Sequence, residues 1–125
     1  MPTGEAFTDK QRALIERARA DVLDHNGLLV SVYVGSLGAS ARDRAESLHA
    51  VLGPVARDAV LVAVDPGAKR LEIVTGPGAR RRVDDQAAAL AALSMTSSFS
   101  SGDLAGGIAN GVRMLGDHAR ALPVR

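Results

Sequence analysis

Apolar side chains recur at helical spacing near the start of the chain. Four of them share one helix face: Leu14, Ile15, Ala18 and Val22. Thr8 followed by Gln11 is the pattern of a capping box and predicts the start of this helix. Gly27 predicts its end, because glycine readily adopts the left-handed conformation that closes helices. The remaining positions are mostly charged, so we expect a surface helix with one buried side.

Two later segments read as strands. Residues 28–34 are apolar on both faces apart from Ser31, and residues 59–64 contain no polar side chain. Strands that are apolar on both faces are typical of sheets covered on both sides. Residues 41–52 between them carry a helical stripe, with Ser40 as a candidate cap. A helical crossover predicts that the two strands are parallel, with the second strand central.

A tight turn at 65–69 contains proline and glycine, so residues 71–75 should return antiparallel to the second strand. A third helix should begin near Asp84 and Asp85, whose charges complement a helix N-terminus. Residues 87–93 are apolar on every side of that helix. Such a segment is either deeply buried or partly covered by another chain.

The last third of the chain combines serines and glycines. We predict a serine-rich loop at 94–101, followed by a helix that starts with a capping box of Ser100 and Asp103. Its apolar stripe contains Leu104, Ile108, Val112, Leu115 and Ala119. Four glycines interrupt it: Gly106, Gly107, Gly111 and Gly116. Each costs about 1 kcal/mol relative to alanine inside a helix, so close backbone packing is the expected compensation.

Together these elements predict the α/β class. We expect a small mixed sheet of three to four strands covered by about four helices. A chain of 125 residues suits one such core. Residues 1–7 read as a flexible leader and residues 8–122 as a single domain.

Charge and composition exclude several function classes. The 15 basic and 14 acidic residues are interspersed, so a nucleic-acid footprint is not expected. The basic run at 80–82 precedes two aspartates and reads as a solvated edge. Without cysteine the chain can form neither a disulfide nor a thiolate site. We see no secretory signal and no membrane span, and therefore expect a soluble, cytoplasmic protein.

The predicted topology places one candidate ligand crevice at the carboxyl ends of the first two strands, where open α/β sheets bind ligands. The segments 35–40, 65–69 and 94–103 should meet there. The candidate residues are Gly35, Ser36, Ser40, Asp65, Lys69, Ser100 and Asp103. Helix N-termini at Ser40 and Ser100 would present amides suited to an anion.

Each candidate also has an ordinary structural interpretation. Asp65 is a common turn residue and Asp103 a common helix cap, and no histidine lies near the serines in sequence. The three histidines, His25, His49 and His118, are scattered and lack metal-ligand spacing. Asp84 and Asp85 are weak candidates for a divalent cation such as calcium. We expect no required cofactor.

The order of these features resembles the TPM domain, a family named for thylakoid-lumen, photosystem-repair and modulator-of-receptor members. The resemblance rests on the strand, hairpin and strand at 60–76 and on Gly102-Asp-Leu-Ala-Gly-Gly107. The family's glycine after the third strand falls on Gly76, and its aspartate near the next helix start falls on Asp84 or Asp85. The chain looks like a compact actinobacterial subfamily.

The resemblance implies an α/β sandwich with helices on both sides of the sheet. It also implies roles in assembling or maintaining membrane complexes. We expect a binding or scaffold module with a protein partner, and a homodimer is one option. Composition and hydropathy predict no nucleic-acid partner and no direct membrane span. Helices three and four offer the expected contact surface, at Ala88, Ala91, Gly107 and Gly111.

Two alternatives remain open. The first, which the resemblance implies for some members, is a weak metal-assisted phosphatase, acid-phosphatase-like, that would use the crevice at the carboxyl ends of strands one and two. The second is a small regulator resembling anti-sigma-factor antagonists. That class requires a phosphorylatable serine at a helix start. The residues that qualify are Ser40 and Ser100 or Ser101. An enzyme is the less favoured interpretation.

Overall fold

The computed structural model describes residues 7–119. Its main elements are α1 (Asp9–Asn26), β1 (Leu29–Val34), α2 (Ala41–Ala50), β2 (Ala59–Asp65), β3 (Arg70–Thr75), α3 (Asp85–Ser100) and α4 (Leu104–His118). Short 3₁₀ helices lie at Gly53–Asp58 and Ala79–Arg81. Residues 1–6 of the predicted leader and 120–122 of the predicted domain lie outside the described residues. Phe7, which we assigned to the leader, is buried in the core.

Within residues 7–119 the sheet has three strands, in the order β1-β2-β3. β1 and β2 are parallel, with Leu29 opposite Ala59, and β3 is antiparallel to β2, with Arg70 opposite Asp65. All seven residues of β2 are buried. The predicted α/β class and the central position of the second strand are therefore confirmed.

Helices cover both faces of the sheet, but unequally. On one face α4 lies between α1 and α3 and packs against both, while α1 also contacts β1 and α3 contacts β3. This face encloses the larger core, which includes Val30, Val60, Val62, Met95, Ile108 and Leu115. On the other face α2 and the loop before it close a smaller cluster, which includes Leu37, Ala41, Ala45, Leu61, Ala63 and Val74.

Local side-chain chemistry sets the start and end of α1 as predicted. The Thr8 hydroxyl accepts a hydrogen bond from the Gln11 N–H at 3.1 Å, and the Gln11 side chain accepts one from the Thr8 N–H at 2.9 Å. Gly27 closes the helix with φ of 65°. At α3, the Asp84 carboxylate accepts from the Ala87 N–H at 2.9 Å, so the helix begins where the acidic pair predicts.

The serine-rich segment 94–101 is not the loop that we predicted, because α3 continues to Ser100. Its hydroxyls donate back to the helix: Thr96 to the Ala92 carbonyl at 2.9 Å, and Ser100 to the Thr96 carbonyl at 3.1 Å. Such bonds satisfy the hydroxyls within the helix. The predicted capping box of Ser100 and Asp103 is wrong for the same reason.

The basic run at 80–82 is not simply a solvated edge. Arg82 is buried, and its guanidinium donates to the carbonyls of Asn26 and Gly27 at the end of α1. A cation is favourable there because unpaired carbonyls leave a partial negative charge at a helix C-terminus. Arg82 therefore links the segment before α3 to the end of α1.

Candidate functional site

Asp65 is the last residue of β2, at the edge of the sheet where the ligand crevice was predicted. One carboxylate oxygen accepts a hydrogen bond from the Leu37 N–H at 2.9 Å, and the other accepts from the Ala68 N–H at 3.1 Å. The residue is only 8% exposed. The loop after β1 and the hairpin after β2 therefore meet through Asp65, as the predicted topology requires.

These contacts also set the ionisation of Asp65. The hydrogen bond from Leu37 lowers the pKa of its carboxyl below the ordinary value, and the N–H groups of Ala68 and Gly67 act in the same direction. Burial opposes this effect, and the nearby Arg70 charge adds a smaller lowering. Asp65 is thus an ionised acceptor with both oxygens engaged by the backbone. A carboxylate in this state is a weak proton acceptor.

The other residues of the first two crevice segments have different environments. Gly35 is buried and extends the sheet, since its N–H donates to the Val64 carbonyl at 2.9 Å. The Ser36 carbonyl accepts a hydrogen bond from the Tyr33 hydroxyl at 3.0 Å. Ser40 is exposed and precedes α2 without a side-chain capping bond. Lys69 is exposed in the turn and has φ of 56°.

The third predicted segment differs from the expectation. Ser100 occupies the last turn of α3, so it does not begin a helix, and the helix N-terminus lies at Asp103 instead. The Asp103 carboxylate accepts from the Gly106 N–H at 3.0 Å. Both side chains thus bond to their own sequence neighbours. Because Ser100 is not at a helix start, it does not fit the position that a regulator of the anti-sigma-antagonist type would use.

The candidate metal residues have separate structural roles. Asp84 caps α3, whereas Asp85 is largely exposed and lies 4.0 Å from the Arg80 guanidinium. Within residues 7–119 no group of three or more histidine, aspartate or glutamate side chains has the arrangement needed to hold a metal ion. His49 is buried against the Ala59 carbonyl at 3.0 Å. His118 contacts the Met114 carbonyl one helical turn earlier at 2.9 Å.

Three of the four predicted contact residues lie inside the molecule. Ala91 is fully buried, and a Cβ on Gly111 would lie 2.4 Å from the Met95 side chain. A Cβ on Gly107 would lie 2.7 Å from Ser98. These residues form the close α3–α4 packing, so a partner cannot reach them in the folded chain. Ala88 alone keeps partial exposure.

The sequence pattern did not show which side of α3 faces away from the core. Leu90 is 43% exposed and Leu93 is 69% exposed. After Asp85, which is exposed at the start of the helix, the other exposed residues of α3 are small or uncharged: Gln86, Ala89, Thr96, Ser97 and Ser100. We call Leu90, Leu93 and these five residues the outer face of α3. No charged residue occurs between Asp85 and Asp103, although 23% of the whole chain is charged.

None of the helices within residues 7–119 combines the length and the apolar character needed to cross a bilayer.

A family model described as Domain of unknown function (DUF5130) matches residues 2–116. The chain belongs to this family. The DUF5130 chain is also 36% identical over 87 residues to two Mycobacterium tuberculosis proteins, Uncharacterized protein MT2543 and Uncharacterized protein Rv2468c. The match covers 68% of this chain and 50% of each relative, so the chain spans about half the length of the curated relatives it matches.

Solved structures share the fold of the DUF5130 chain. The BA42 protein of Bizionia argentinensis superposes with a TM-score of 0.81 at 19% identity, covering 93% of this chain and 83% of that one. The N-terminal domain of the cg2496 protein from Corynebacterium glutamicum gives a TM-score of 0.77 at 15% identity, covering 95% and 78%. At these identities the likeness concerns the fold alone, and the TPM resemblance stays a prediction.

Proposed function

We propose that this DUF5130 chain is a binding or scaffold module of the TPM-like class and that it contacts a protein partner through the outer face of α3. The observation that carries the proposal is the exposure of Leu90 and Leu93 on α3, which has no charged residue after its first position, Asp85. Depletion of charge, with apolar residues exposed, is the compositional mark of the core of a protein interface.

The backbone hydrogen bonds of the Asp65 carboxylate favour a binding role over the alternative of a weak metal-assisted phosphatase. A general base must accept a proton from its target within hydrogen-bond distance. Both Asp65 oxygens already accept backbone N–H groups, and these bonds hold two loops together. Asp65 therefore has a structural task that explains its position and its lowered pKa.

Affinity capture with matched variants tests the binding role. The purified chain serves as bait in an extract of its native cell, in parallel with Leu93→Glu and Val51→Glu. Val51 is 81% exposed and lies at the end of α2, on the opposite side of the sheet, which makes it a control for adding a surface charge. We expect wild type and Val51→Glu to retain the same protein, and Leu93→Glu to retain at least about tenfold less, a difference of about 1.4 kcal/mol. Equal retention by all three would contradict the assignment of the contact surface to α3.

Hydrolysis of a phosphate ester tests the alternative. We expect no saturable turnover of p-nitrophenyl phosphate, with or without added Mg²⁺ or Ca²⁺. Saturable turnover that disappears in a folded Asp65→Asn variant would overturn the binding proposal in favour of a hydrolase.

A further inference from the structure

We propose that the Asn26-Gly27 peptide bond is a site of spontaneous deamidation in this chain and that Arg82 suppresses the reaction in the folded protein. Asparagine deamidates fastest before glycine, because glycine has no side chain to obstruct the attacking nitrogen. The chain contains two asparagines, Asn26 and Asn110, and each is followed by a glycine. The two sites lie in different surroundings, so their reactivities should differ.

The reaction joins the Gly27 nitrogen to the side-chain carbonyl carbon of Asn26. The new C–N bond closes a five-membered succinimide ring. The C–N bond of the side-chain amide breaks, and its nitrogen leaves as ammonia together with the proton of the Gly27 N–H. Water then opens the ring at either carbonyl, which leaves aspartate or isoaspartate at position 26. The attacking N–H must therefore give up any hydrogen bond that it makes.

The folded structure holds the reacting groups apart from one another. The Gly27 N–H donates to the Leu23 carbonyl at 2.9 Å. The carbonyls of Asn26 and Gly27 accept from the Arg82 guanidinium, at 3.3 Å for Gly27. The Asn26 side chain lies against α4, since a Cβ on Gly116 would be 2.8 Å from its Oδ1 atom. Ring closure must break the first bond and turn the peptide that Arg82 holds, so the closed arrangement resists the reaction.

The position of each asparagine in its helix predicts which one reacts first. Asn26 is the last residue of α1, and helix ends open locally without unfolding of the protein. Gly111 is the central residue of α4 and packs against Met95 of α3. Release of the Gly111 nitrogen therefore requires disruption of the core, whereas release of the Gly27 nitrogen requires only the last turn of α1 to open. Asn26 should be the faster site, and its rate should depend on Arg82.

The isoaspartate product would alter the contact that protects the site. In isoaspartate the main chain runs through the former side chain and is longer by one methylene. The carbonyls at positions 26 and 27 would then shift relative to the Arg82 guanidinium. Deamidation should therefore weaken the link between the end of α1 and the segment before α3.

Peptide mapping by mass spectrometry after incubation at mildly alkaline pH tests the proposal. In wild type we expect Asn26 to react faster than Asn110. Arg82→Met keeps an apolar stem but removes the charged donor, and it should accelerate Asn26 at least about tenfold while Asn110 is unchanged. Arg82→Lys keeps the charge without the planar fork and should give a smaller acceleration of Asn26. Arg81→Ala, a change at the exposed neighbouring arginine, should match wild type.

Asn110 separates local opening from loss of the whole fold. Each variant is shown to be folded by its circular dichroism spectrum, and Arg82→Lys carries the test if Arg82→Met is not folded. In urea-denatured wild type both asparagines should react at similar rates, which calibrates their intrinsic reactivity. Equal acceleration of both sites in a folded Arg82 variant, or an Asn26 rate equal to that of wild type, would overturn the role of Arg82. A folded wild type in which Asn26 reacts no faster than Asn110 would overturn the site itself.

Discussion

An arginine guanidinium covers each of the two edges of the sheet, and the two arginines come from helices on opposite faces of the sheet. At the β1 edge, Arg19 of α1 donates to the Val30 carbonyl at 2.6 Å. At the β3 edge, Arg42 of α2 donates to the Ile73 carbonyl at 2.9 Å. We call Arg19 and Arg42 the edge arginines. Each occupies a carbonyl that would otherwise be open to a strand from another molecule.

The two edges differ in what else protects them. β1 contains no charged side chain, and Arg19 is oriented by one exposed carboxylate, Glu16, at 2.6 Å. β3 carries its own charges, including Glu72, and Arg42 contacts both Glu72 and Glu46. Charged residues on an edge strand already oppose edge-to-edge pairing. An apolar edge therefore depends on its arginine more than a charged edge does.

The largest expected effect comes from Asp65, which joins the loop after β1 to the turn before β3. In Asp65→Asn an amide NH₂ replaces one acceptor and faces a backbone N–H. We expect a loss of about 2–3 kcal/mol in the free energy of unfolding, measured by urea denaturation at neutral pH. Asp65→Glu is a matched control that keeps the charge; an Asp65→Asn variant as stable as wild type would contradict the assigned role.

The pH dependence of that loss has a definite sign. The folded-state pKa of Asp65 is lowered, so its carboxylate contributes fully above the unfolded value of about 3.9. The contribution disappears as the pH falls below that value through the folded pKa. The stability difference between wild type and Asp65→Asn should therefore shrink below about pH 4.

Removing the arginine from the apolar edge should have the next largest effect. Arg19→Ala leaves the Val30 carbonyl without its donor and should cost about 1–2 kcal/mol, measured by urea denaturation at low protein concentration. The exposed β1 edge should also promote association, detected by light scattering as concentration rises. Arg17→Ala, at a neighbouring exposed position of α1, is the control. Scattering equal to that of wild type would show that the β1 edge needs no cover.

The matching change at the charged edge should have the smallest effect. Arg42→Ala removes the bond to the Ile73 carbonyl, but the strand keeps Arg70 and Glu72. The Arg42 side chain is 46% exposed, so we expect a loss of only about 0.5–1 kcal/mol and no association. Association of Arg42→Ala as strong as that of Arg19→Ala would remove the distinction between the two edges.

The elements that the sequence predicted well are those with strong local signals. The uninterrupted apolar run at 59–64 predicted a central strand, and Thr8 with Gln11 predicted the start of α1. The end of α3 was missed because serine and threonine are poor interior helix residues in isolation. Packing of Met95 against Gly111 keeps that segment helical, and its hydroxyls find partners on the helix carbonyls; a local pattern shows neither contact.

The candidate site was predicted only in part, because some of its contacts follow from the topology and others depend on packing. Topology alone brings the loop after β1 to Asp65, since parallel strands end at the same edge. Ser100 was assigned to the crevice through the misplaced helix boundary. The edge arginines were missed because a pattern does not show which of fifteen basic residues reaches a particular carbonyl.

The glycines of α4 have a mechanical consequence. Gly111 meets Met95 of α3 on one side, and a Cβ on Gly116 would lie 2.9 Å from Val22 of α1 on the other. A slide of α4 by a single residue, about 1.5 Å, would push a larger side chain into one of these neighbours. The close contacts on its two sides therefore oppose sliding of α4 along its axis between α1 and α3.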